Sequence, residues 1–405
     1  MNKMFFSIIL WFLCAVPAAA GGKLLIVGGG LSPDNEAIHR AFLNAIPASQ
    51  KLAIISAASG TPAQSAGYMI EDFSRYGFDA DRILHIRLAV LDDNSTEVDE
   101  SEWYSNGNSV DEIARLDGVG GVWFTGGDQA RILATLKNED GSDKAMATRL
   151  RSILDQGGII GGTSAGAAMM SDDMILFGDP LPALLFGLGP DGSGALGMGK
   201  GMGFLPIGLV DQHFDERRRL GRLARAISYL PPEKRMGFGI DENTGFLVDI
   251  NNLNVQVVGE GSLTLLDGRS ASFNREGDAL VAHSLLLHVF TDADSFDVMG
   301  GKPTIAAYKA ATVGNEYYKE ISNAGGGIAV PYPGVARYLG TGLVDNNATN
   351  QMSAVSFTKE GNGVRYVFNQ VPETAGFWGR DENGRTRYSI LGVRFSIEPV
   401  RITIN

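Results

Sequence analysis

The chain has 405 residues, of which 44% are hydrophobic and 20% charged, and its formal net charge is −12. This composition is that of a globular protein with enough apolar material for one large domain and a smaller one. The negative charge argues against a nucleic-acid partner, because phosphate backbones attract basic surfaces. The only cysteine, Cys14, lies in the N-terminal segment, so the remainder of the chain contains neither a disulfide nor a cysteine nucleophile.

The first twenty residues have the pattern of a secretory signal peptide. Lys3 provides a positive n-region, residues 4–16 form an apolar h-region, and small residues at 17–20 allow cleavage after about Ala20. The apolar stretch is short for a bilayer span. We therefore expect no stable membrane anchor and a mature protein that is secreted or periplasmic in a bacterium, the alternative being an uncleaved N-terminal anchor.

Short apolar runs alternate with helical stretches from residue 21 onward. Four of these runs end in clusters of small residues: 23–27, 52–56, 121–124 and 158–161. The alternation predicts an α/β fold, a mostly parallel sheet with helices on both faces. The functional site of such a sheet lies outside the carboxyl ends of its strands. The first cluster, residues 28–30, lacks the spacing of a dinucleotide loop, because Pro33 stands where the third glycine is needed.

The fourth run leads into residues 162–166, Gly-Thr-Ser-Ala-Gly. This is the G-x-S-x-G pattern of a nucleophile elbow, in which a strand ends, the backbone turns sharply and a helix begins. The hydroxyl of Ser164 would then be exposed at the strand tip, which predicts a serine hydrolase. The pentapeptide alone is as compatible with a glycine-rich turn that carries an incidental serine.

The residue composition of the chain changes after the elbow. Residues 177–203 are rich in Gly, Pro and Leu and are predicted to form a long loop, either a lid beside the site or a plain insertion. Short β-like runs follow from about residue 251. We expect a catalytic domain over residues 21–298 and a β-rich C-terminal extension of unknown role over residues 299–405, either a separate module or an elaboration docked on the first domain.

A serine nucleophile needs a base to take its proton and a group to orient that base. Of the five histidines, His213 follows the strand-like run 204–210 and so falls at a strand end, whereas His39 lies on a predicted surface helix. The orienting acid is expected after the next run, where Asp241 and Glu242 both stand. The residues alone do not choose between these two acids.

Two further groups complete the predicted site. The backbone amide of Ala165 and the turn Gly126-Gly127 can supply the oxyanion hole, and Gln129 follows that turn. Beyond His213, a predicted helix carries several arginines, which in an acidic protein favour a carboxylate-binding subsite over plain solvated surface. These arginines are Arg217, Arg219 and Arg222.

Four separated motifs agree in order and spacing: FTGGDQ at 124–129, GGTSAGA at 161–167, DQHFxxRxRxxR at 211–222 and GIDENT at 239–244. Together they resemble the cyanophycinases, a family grouped with aspartyl dipeptidases related to peptidase E, over about residues 23–298. The resemblance implies a class I glutamine amidotransferase-like fold. It also implies a serine exopeptidase, without metal or cofactor, that hydrolyses cyanophycin (multi-L-arginyl-poly-L-aspartate) to β-Asp-Arg dipeptides.

The resemblance also assigns roles to individual residues. It implies that Ser164 is the nucleophile, His213 the base and Glu242, in preference to Asp241, the orienting acid. It implies a substrate pocket lined by Gln129, Asp211, Gln212, Arg217, Arg219 and Arg222.

The chain departs from the family pattern in two places. Asp128 stands where the family commonly has asparagine, and the extension after Gly300 has no counterpart in the short intracellular members. With the signal peptide, the extension resembles the extracellular branch, whose partner would be the polymer or a β-aspartyl peptide; the chain could act as a homodimer. The alternatives are an aspartyl or isoaspartyl dipeptidase of the same family and a non-catalytic polymer-binding protein.

Overall fold

The computed structural model describes residues 21–321 and 333–403, so the predicted signal peptide lies outside the described residues. The strands within these ranges are β1 (Lys23–Val27), β2 (Lys51–Ile55), β3 (Ile83–Ile86), β4 (Val119–Phe124), β5 (Ile159–Thr163), β6 (Asp173–Phe177), β7 (Gly197–Lys200), β8 (Leu209–Asp211), β9 (Met236–Ile240), β10 (Thr244–Asp249), β11 (Asn254–Gly259), β12 (Ser262–Asp267), β13 (Ser272–Glu276), β14 (Ala279–Thr291), β15 (Ser295–Asp297), β16 (Lys309–Ala311), β17 (Gln351–Phe357), β18 (Asn362–Asn369), β19 (Ala375–Arg380) and β20 (Thr386–Arg401). The α-helices are α1 (Glu36–Leu43), α2 (Pro62–Arg75), α3 (Val110–Ala114), α4 (Gln129–Leu136), α5 (Ala145–Asp155), α6 (Ala165–Ala168), α7 (Pro180–Phe186), α8 (Leu220–Ser228) and α9 (Val335–Leu339).

Eight strands form the first sheet, in the order β15-β11-β10-β1-β5-β4-β2-β3. The five strands β1, β5, β4, β2 and β3 are parallel, whereas β10, β11 and β15 are antiparallel. The apolar runs predicted from the sequence are β1, β2, β4 and β5, and their central residues are buried. On one face, Phe42 of α1 and Phe73 of α2 meet Trp123 edge to face. Phe124 packs with Ile132 of α4 in the core on the other face.

The second sheet has ten strands and is almost wholly antiparallel. Its main path is β16-β19-β20-β14-β12-β9-β8, and only β8 and β9 run parallel. The prediction of a mostly parallel sheet therefore holds for the five-stranded core of the first sheet and not for the molecule as a whole. The cause is chain connectivity, since hairpins such as β17–β18 join neighbours directly and hairpin-joined strands must be antiparallel.

The C-terminal extension is β-rich and completes the second sheet. β20 pairs with β14 from Ala282↔Ile397 to Val289↔Ile390, so strands from both sides of residue 298 share one hydrogen-bonded ladder. Side chains of both parts also share one apolar core, in which Leu285 and Phe395 are fully buried. Of the two arrangements left open by the sequence, an elaboration docked on the catalytic part fits this pairing.

Residues 177–203 do not form the long loop that the sequence predicts. The segment contains α7, which has Pro180 at its first turn, and β7, which pairs with β6. Leu184 and Leu185 of α7 are buried in the core that also holds α8. Glycine and proline here mark the ends of short elements, and the seven-residue helix is too short to show a clear helical periodicity.

Candidate active site

The candidate nucleophile lies in a tight turn between β5 and α6. Ser164 has φ 54° and ψ −110°, a backbone conformation that non-glycine residues rarely adopt and that is typical of a strained elbow. A Cβ added to Gly162 would lie 2.6 Å from the carbonyl oxygen of Gly166, so these two positions need glycine for the chain to fold back closely. The helix after the elbow is short and ends at Ala168. Ser164 itself is half-buried and accessible.

His213 follows β8 of the second sheet and reaches the serine of the first. Its Nε2 lies 2.8 Å from the Oγ of Ser164. The backbone N–H of His213 donates to the carbonyl of Gly28 at 2.6 Å, which fixes the residue against the end of β1. His213 is thus buried between the two sheets, with one ring nitrogen directed at the hydroxyl.

Glu242 lies on the other side of the imidazole, in the turn between β9 and β10. Its Oε1 is 2.5 Å from Nδ1 of His213. The neighbouring Asp241 points away from the imidazole and accepts hydrogen bonds from the backbone and hydroxyl of Ser262 and from the backbone of Asp215. Burial, together with the charge of Asp215, raises the pKa of Asp241 well above its ordinary value. The geometry thus places Glu242, not Asp241, against the histidine.

The protonation of His213 is set by opposing influences. Burial lowers its pKa below the ordinary 6.5, the hydrogen bond to Glu242 raises it, and the charge of Arg217 lowers it again. The net shift is downward. A neutral imidazole at neutral pH can accept the serine proton, which is the state that a general base requires.

The predicted oxyanion groups surround the serine. A Cβ added to Gly126 would lie 3.3 Å from the Cβ of Ser164, so this turn passes directly beside the hydroxyl. Gly127 has φ 139° and lies against the carbonyl of Ala58. Ala165 is the first residue of α6, where backbone N–H groups have no intrahelical partner. The structure therefore places Gly126 next to Ser164, and the role of Gly126, Gly127 and Ala165 as an oxyanion hole stays a prediction.

The predicted substrate-binding residues divide into exposed and buried ones. Arg217 is exposed beside His213. Arg222 and Arg219 are buried and both pair with Asp211, and Arg219 also donates to Gln212. Gln129 is buried as well, with its amide donating to the carbonyls of residues 175 and 176 at 2.9 and 2.7 Å.

These buried groups are engaged inside the protein, and their role toward a substrate stays a prediction. One local expectation is wrong: Arg217 and Arg219 lie in a turn, and α8 begins at Leu220. Arg218 in that turn has φ 53°, which interrupts a helical path. Asp128, the departure from the family pattern, caps α4 by accepting from the backbone of Ala130.

Sequence reasoning missed the part played by the glycines after β1. Gly29 has φ 103°, and a Cβ there would lie 2.3 Å from Cε1 of His213. A Cβ on Gly30 would lie 2.6 Å from Oε2 of Glu242. The carbonyl of Gly29 also accepts the backbone N–H of Asn243. Gly28, Gly29 and Gly30 thus lie directly against His213 and Glu242. The sequence does show that they follow the carboxyl end of a predicted strand, and this feature could have placed them at the site.

His39 corrects another sequence expectation. It is buried rather than on the surface, and its ring stacks on that of Tyr76 with 4.8 Å between the ring centroids. No helix within residues 21–321 and 333–403 is long and apolar enough to cross a bilayer. Across the same ranges, no three His, Cys, Asp or Glu side chains are grouped as a metal ion would require.

Proteins that are similar to this chain in sequence include cyanophycinases. A cyanophycinase of Trichormus variabilis is 33% identical over 288 residues, which cover 69% of this chain and 87% of the relative. Cyanophycinases of Geminocystis herdmanii and Synechococcus elongatus are 29% and 35% identical over 283 and 192 residues, covering 68% and 46% of this chain and 93% and 55% of the relatives.

The chain is similar to a peptidase from an acI-B1 Actinobacterium, known from its crystal structure, with a TM-score of 0.47 and 19% identity over 69% of this chain and 98% of that one. No protein-family model matches the chain.

Proposed function

The chain belongs to the cyanophycinase family, and from that premise we propose that it is a serine-type peptidase that hydrolyses cyanophycin to β-Asp-Arg dipeptides. The observation that carries the proposal is the unbroken series of contacts from Ser164 Oγ through His213 to Glu242, at 2.8 and 2.5 Å. This is the nucleophile–base–acid arrangement of serine hydrolases, which is recognised by geometry and not by chain order.

In the proposed acylation step, His213 Nε2 takes the proton of Ser164 as Oγ attacks a backbone carbonyl carbon of the aspartyl chain. A bond forms between Oγ and that carbon, and the carbonyl oxygen becomes an oxyanion beside the amides of Ala165 and the turn at Gly126. Collapse of this intermediate breaks the C–N bond. The imidazolium returns its proton to the leaving amine, and the acyl group remains on Ser164.

Deacylation repeats the sequence with water. His213 takes a proton from the water as its oxygen attacks the acyl carbon, and the proton then passes to Oγ when the ester bond breaks. Glu242 holds the imidazole in the tautomer that presents a free Nε2 and stabilises the imidazolium in both steps. In both steps the protons move only between His213, Ser164, the leaving amine and the attacking water.

The surroundings of the serine are suited to an anionic substrate. Arg217 is exposed beside His213, and the buried Arg219 and Arg222 both pair with Asp211. Guanidinium groups bind carboxylates strongly, and the arginyl groups of cyanophycin each carry a free α-carboxylate. We propose that this positive charge, in a protein of net charge −12, orients the substrate over the serine.

The proposal extends to fold class, domains and location. The parallel core with its elbow supports a class I glutamine amidotransferase-like catalytic domain over residues 21–298, with the extension of residues 299–405 built onto it. Removal of residues 1–20 on export would place the enzyme where polymer released by other cells is found. N-terminal sequencing of the protein from culture medium or periplasm should give a first residue near Gly21; a chain that still begins at Met1 would contradict export with cleavage.

Turnover of insoluble cyanophycin by Ser164→Ala tests the mechanism directly. Loss of the nucleophile should lower kcat by about 10⁶-fold. Ser74→Ala is the matched control, because its hydroxyl donates only to the carbonyl of Ile70 within α2 and activity should be retained. Undiminished turnover by the Ser164 variant would overturn the mechanism.

The identity of the products separates the remaining functions. Release of β-Asp-Arg from polymer supports a cyanophycinase, and cleavage of Asp-X or isoaspartyl dipeptides alone would indicate a dipeptidase. Binding of polymer with no turnover by wild-type protein and no labelling by a serine-reactive phosphonate would indicate a non-catalytic binder.

A further inference from the structure

A cavity of about 620 Å³ lies within the C-terminal extension. The cavity is lined by aromatic and charged side chains, among them Tyr317, Arg337, Asp345, Trp378, Arg380 and Tyr388. All of them come after residue 299, and none belongs to the site around Ser164. A cavity of this size is in the range of small-molecule and side-chain binding sites.

Sheet register builds the aromatic wall of the cavity. Trp378 of β19 pairs with Ala310 of β16 on one side and Tyr388 of β20 on the other, and Arg380 pairs with Thr386. Side chains two residues apart on a strand point to the same face, so Trp378 and Arg380 face the cavity together. Tyr388 is buried, whereas Trp378 is 38% exposed.

A second aromatic group lines the cavity from residues 317 and 318. Tyr317 is 78% exposed, and its ring meets that of Tyr318 edge to face at 5.1 Å. The carboxylate of Asp345 accepts the hydroxyl of Tyr388 at 2.9 Å and the backbone N–H of Tyr317 at 2.8 Å. This buried carboxylate fixes the ring of Tyr388 and the backbone of Tyr317, so the wall is held in place although the ring of Tyr317 is open to solvent.

The charges at the rim are positive. Arg337 of α9 and Arg380 of β19 are both exposed, and neither guanidinium forms an ion pair with a carboxylate anywhere in the described chain. Exposed aromatic rings beside unpaired guanidinium groups suit a ligand that has both a planar cation, which stacks on aromatic faces, and a carboxylate.

We propose that this cavity is a second binding site for cyanophycin, and that it takes arginyl groups of the polymer away from the point of cleavage. Each arginyl group carries a guanidinium that can stack on Trp378 or Tyr317. The same group carries an α-carboxylate that can pair with Arg337 or Arg380. The inference rests on the proposed function, since it takes its ligand from the substrate proposed for Ser164.

The position of α9 links this cavity to the catalytic site. The backbone N–H of Val335, the first residue of α9, donates to Asp215, which is two residues after His213. Arg337 and Thr341, which line the cavity, follow on the same helical path. At 1.5 Å per residue, Val335 and Thr341 are about 9 Å apart along the axis. The contact with Asp215 therefore places the first turn of α9 next to the segment that carries His213.

Binding is separated from hydrolysis by working in the Ser164→Ala background. Sedimentation of this protein with insoluble cyanophycin granules gives a binding isotherm. Adding Trp378→Ala should weaken the apparent affinity about five- to tenfold, because one cation–π contact per bound group is lost. Trp378→Phe keeps a ring face and should restore most of the binding. Arg337→Gln with Arg380→Gln should weaken binding by a similar factor and reduce its sensitivity to salt.

Phe357→Ala is the matched control, since Phe357 of β17 is 46% exposed in the extension but does not line the cavity. Its isotherm should equal that of the parent. Circular dichroism establishes that each variant is folded; if Trp378→Ala is not, the arginine variants decide. Unchanged isotherms in folded cavity variants would overturn this inference while wild-type turnover of the polymer leaves the proposed function standing. Binding of the polymer by wild-type protein without turnover would overturn the proposed function and leave the inference about the cavity standing.

Discussion

The two sheets contribute different parts of the candidate site. The first sheet supplies Ser164, at the end of its central parallel strand β5, and the glycine turn after β1. The second sheet supplies His213 after β8 and Glu242 after β9. The parallel core thus carries the proposed nucleophile at a strand tip, and the antiparallel sheet brings the proposed proton-transfer groups next to it.

Because of this division, the site exists only while the two sheets keep their relative position. The connection from β9 to β10 passes from the second sheet to the first, and Glu242 lies in that crossing. The 2.8 Å contact between Ser164 and His213 is likewise a contact between sheets. Changes in either sheet, or in the attachment of the extension, should therefore be measurable as changes in activity or stability.

Removing the acid supplied by the second sheet should have the largest effect. Glu242→Gln leaves the side chain's shape but loses its charge, so the imidazolium is no longer stabilised, and kcat should fall by about 10³- to 10⁴-fold. Steady-state kinetics on cyanophycin measures this. Glu276→Gln, an exposed glutamate of β13, is the control. A larger loss of kcat in Asp241→Asn than in Glu242→Gln would show that Asp241, and not Glu242, orients the histidine.

Attachment of the extension should depend strongly on one buried lysine. Lys309 of β16 is fully buried and donates to Asp294, Thr291 and Ser389 at 2.7, 2.7 and 2.8 Å. Lys309→Met leaves the Asp294 carboxylate without its cation, so the free energy of unfolding should fall by about 3 to 5 kcal/mol.

Urea denaturation measures this change. Lys359→Met is the control, because that lysine is exposed, and it should change stability by less than about 0.5 kcal/mol. Equal stability of the two variants would show that the extension is held by other contacts.

Displacing the histidine from the first-sheet side should have an intermediate effect. Gly29→Ala adds a Cβ 2.3 Å from the His213 ring, so the imidazole must move, and kcat/KM should fall by about 10²-fold. Gly277→Ala shares the positive φ but has open space around the added carbon, so it controls for backbone strain. If both alanine variants lose activity equally, contact with the ring is not the cause.

Charge near the base should have the smallest effect, and a pH profile reveals it. Burial lowers the pKa of His213, so the acid limb of kcat/KM in the wild type should lie below pH 6.5. Arg217→Ala removes a cation that lowers this pKa further, and because the base must be neutral to act, the acid limb should move to higher pH. Lys51→Ala, at the far end of β2, should leave the limb in place. A shift to lower pH in the Arg217 variant would contradict the assignment.

Local pattern was enough to predict the parallel core but not the second sheet. The runs at β1, β2, β4 and β5 are short, apolar and closed by small residues, and each feature is visible within a few positions. Each paired position of β14 and β20 joins residues more than a hundred positions apart in the sequence, and no local periodicity encodes that pairing. Likewise, the spacing of Arg219 and Arg222 suggested a binding surface, and only the fold shows that Asp211 lies between them.

At the site, residue types were predictable but the supporting contacts were not. Ser164 and His213 stand at recognisable strand ends, so chemistry and spacing together single them out. The choice of Glu242 over Asp241 depends on which side chain faces the imidazole, a matter of backbone direction in the turn. The fit of Gly29 against His213 depends on packing between sheets, which is invisible until both are assembled.

The place of β20 in the sheet has a consequence for how the protein is made. This strand of 16 residues is the last described element of the chain, yet it lies between β14, β18 and β19. During synthesis β14 emerges long before its partner, and until then it presents an open edge that can pair with another chain. β20, the last described strand, completes the second sheet. A chain released before β20 is made would have a complete first sheet, which carries Ser164. The second sheet, which carries His213 and Glu242, would be incomplete.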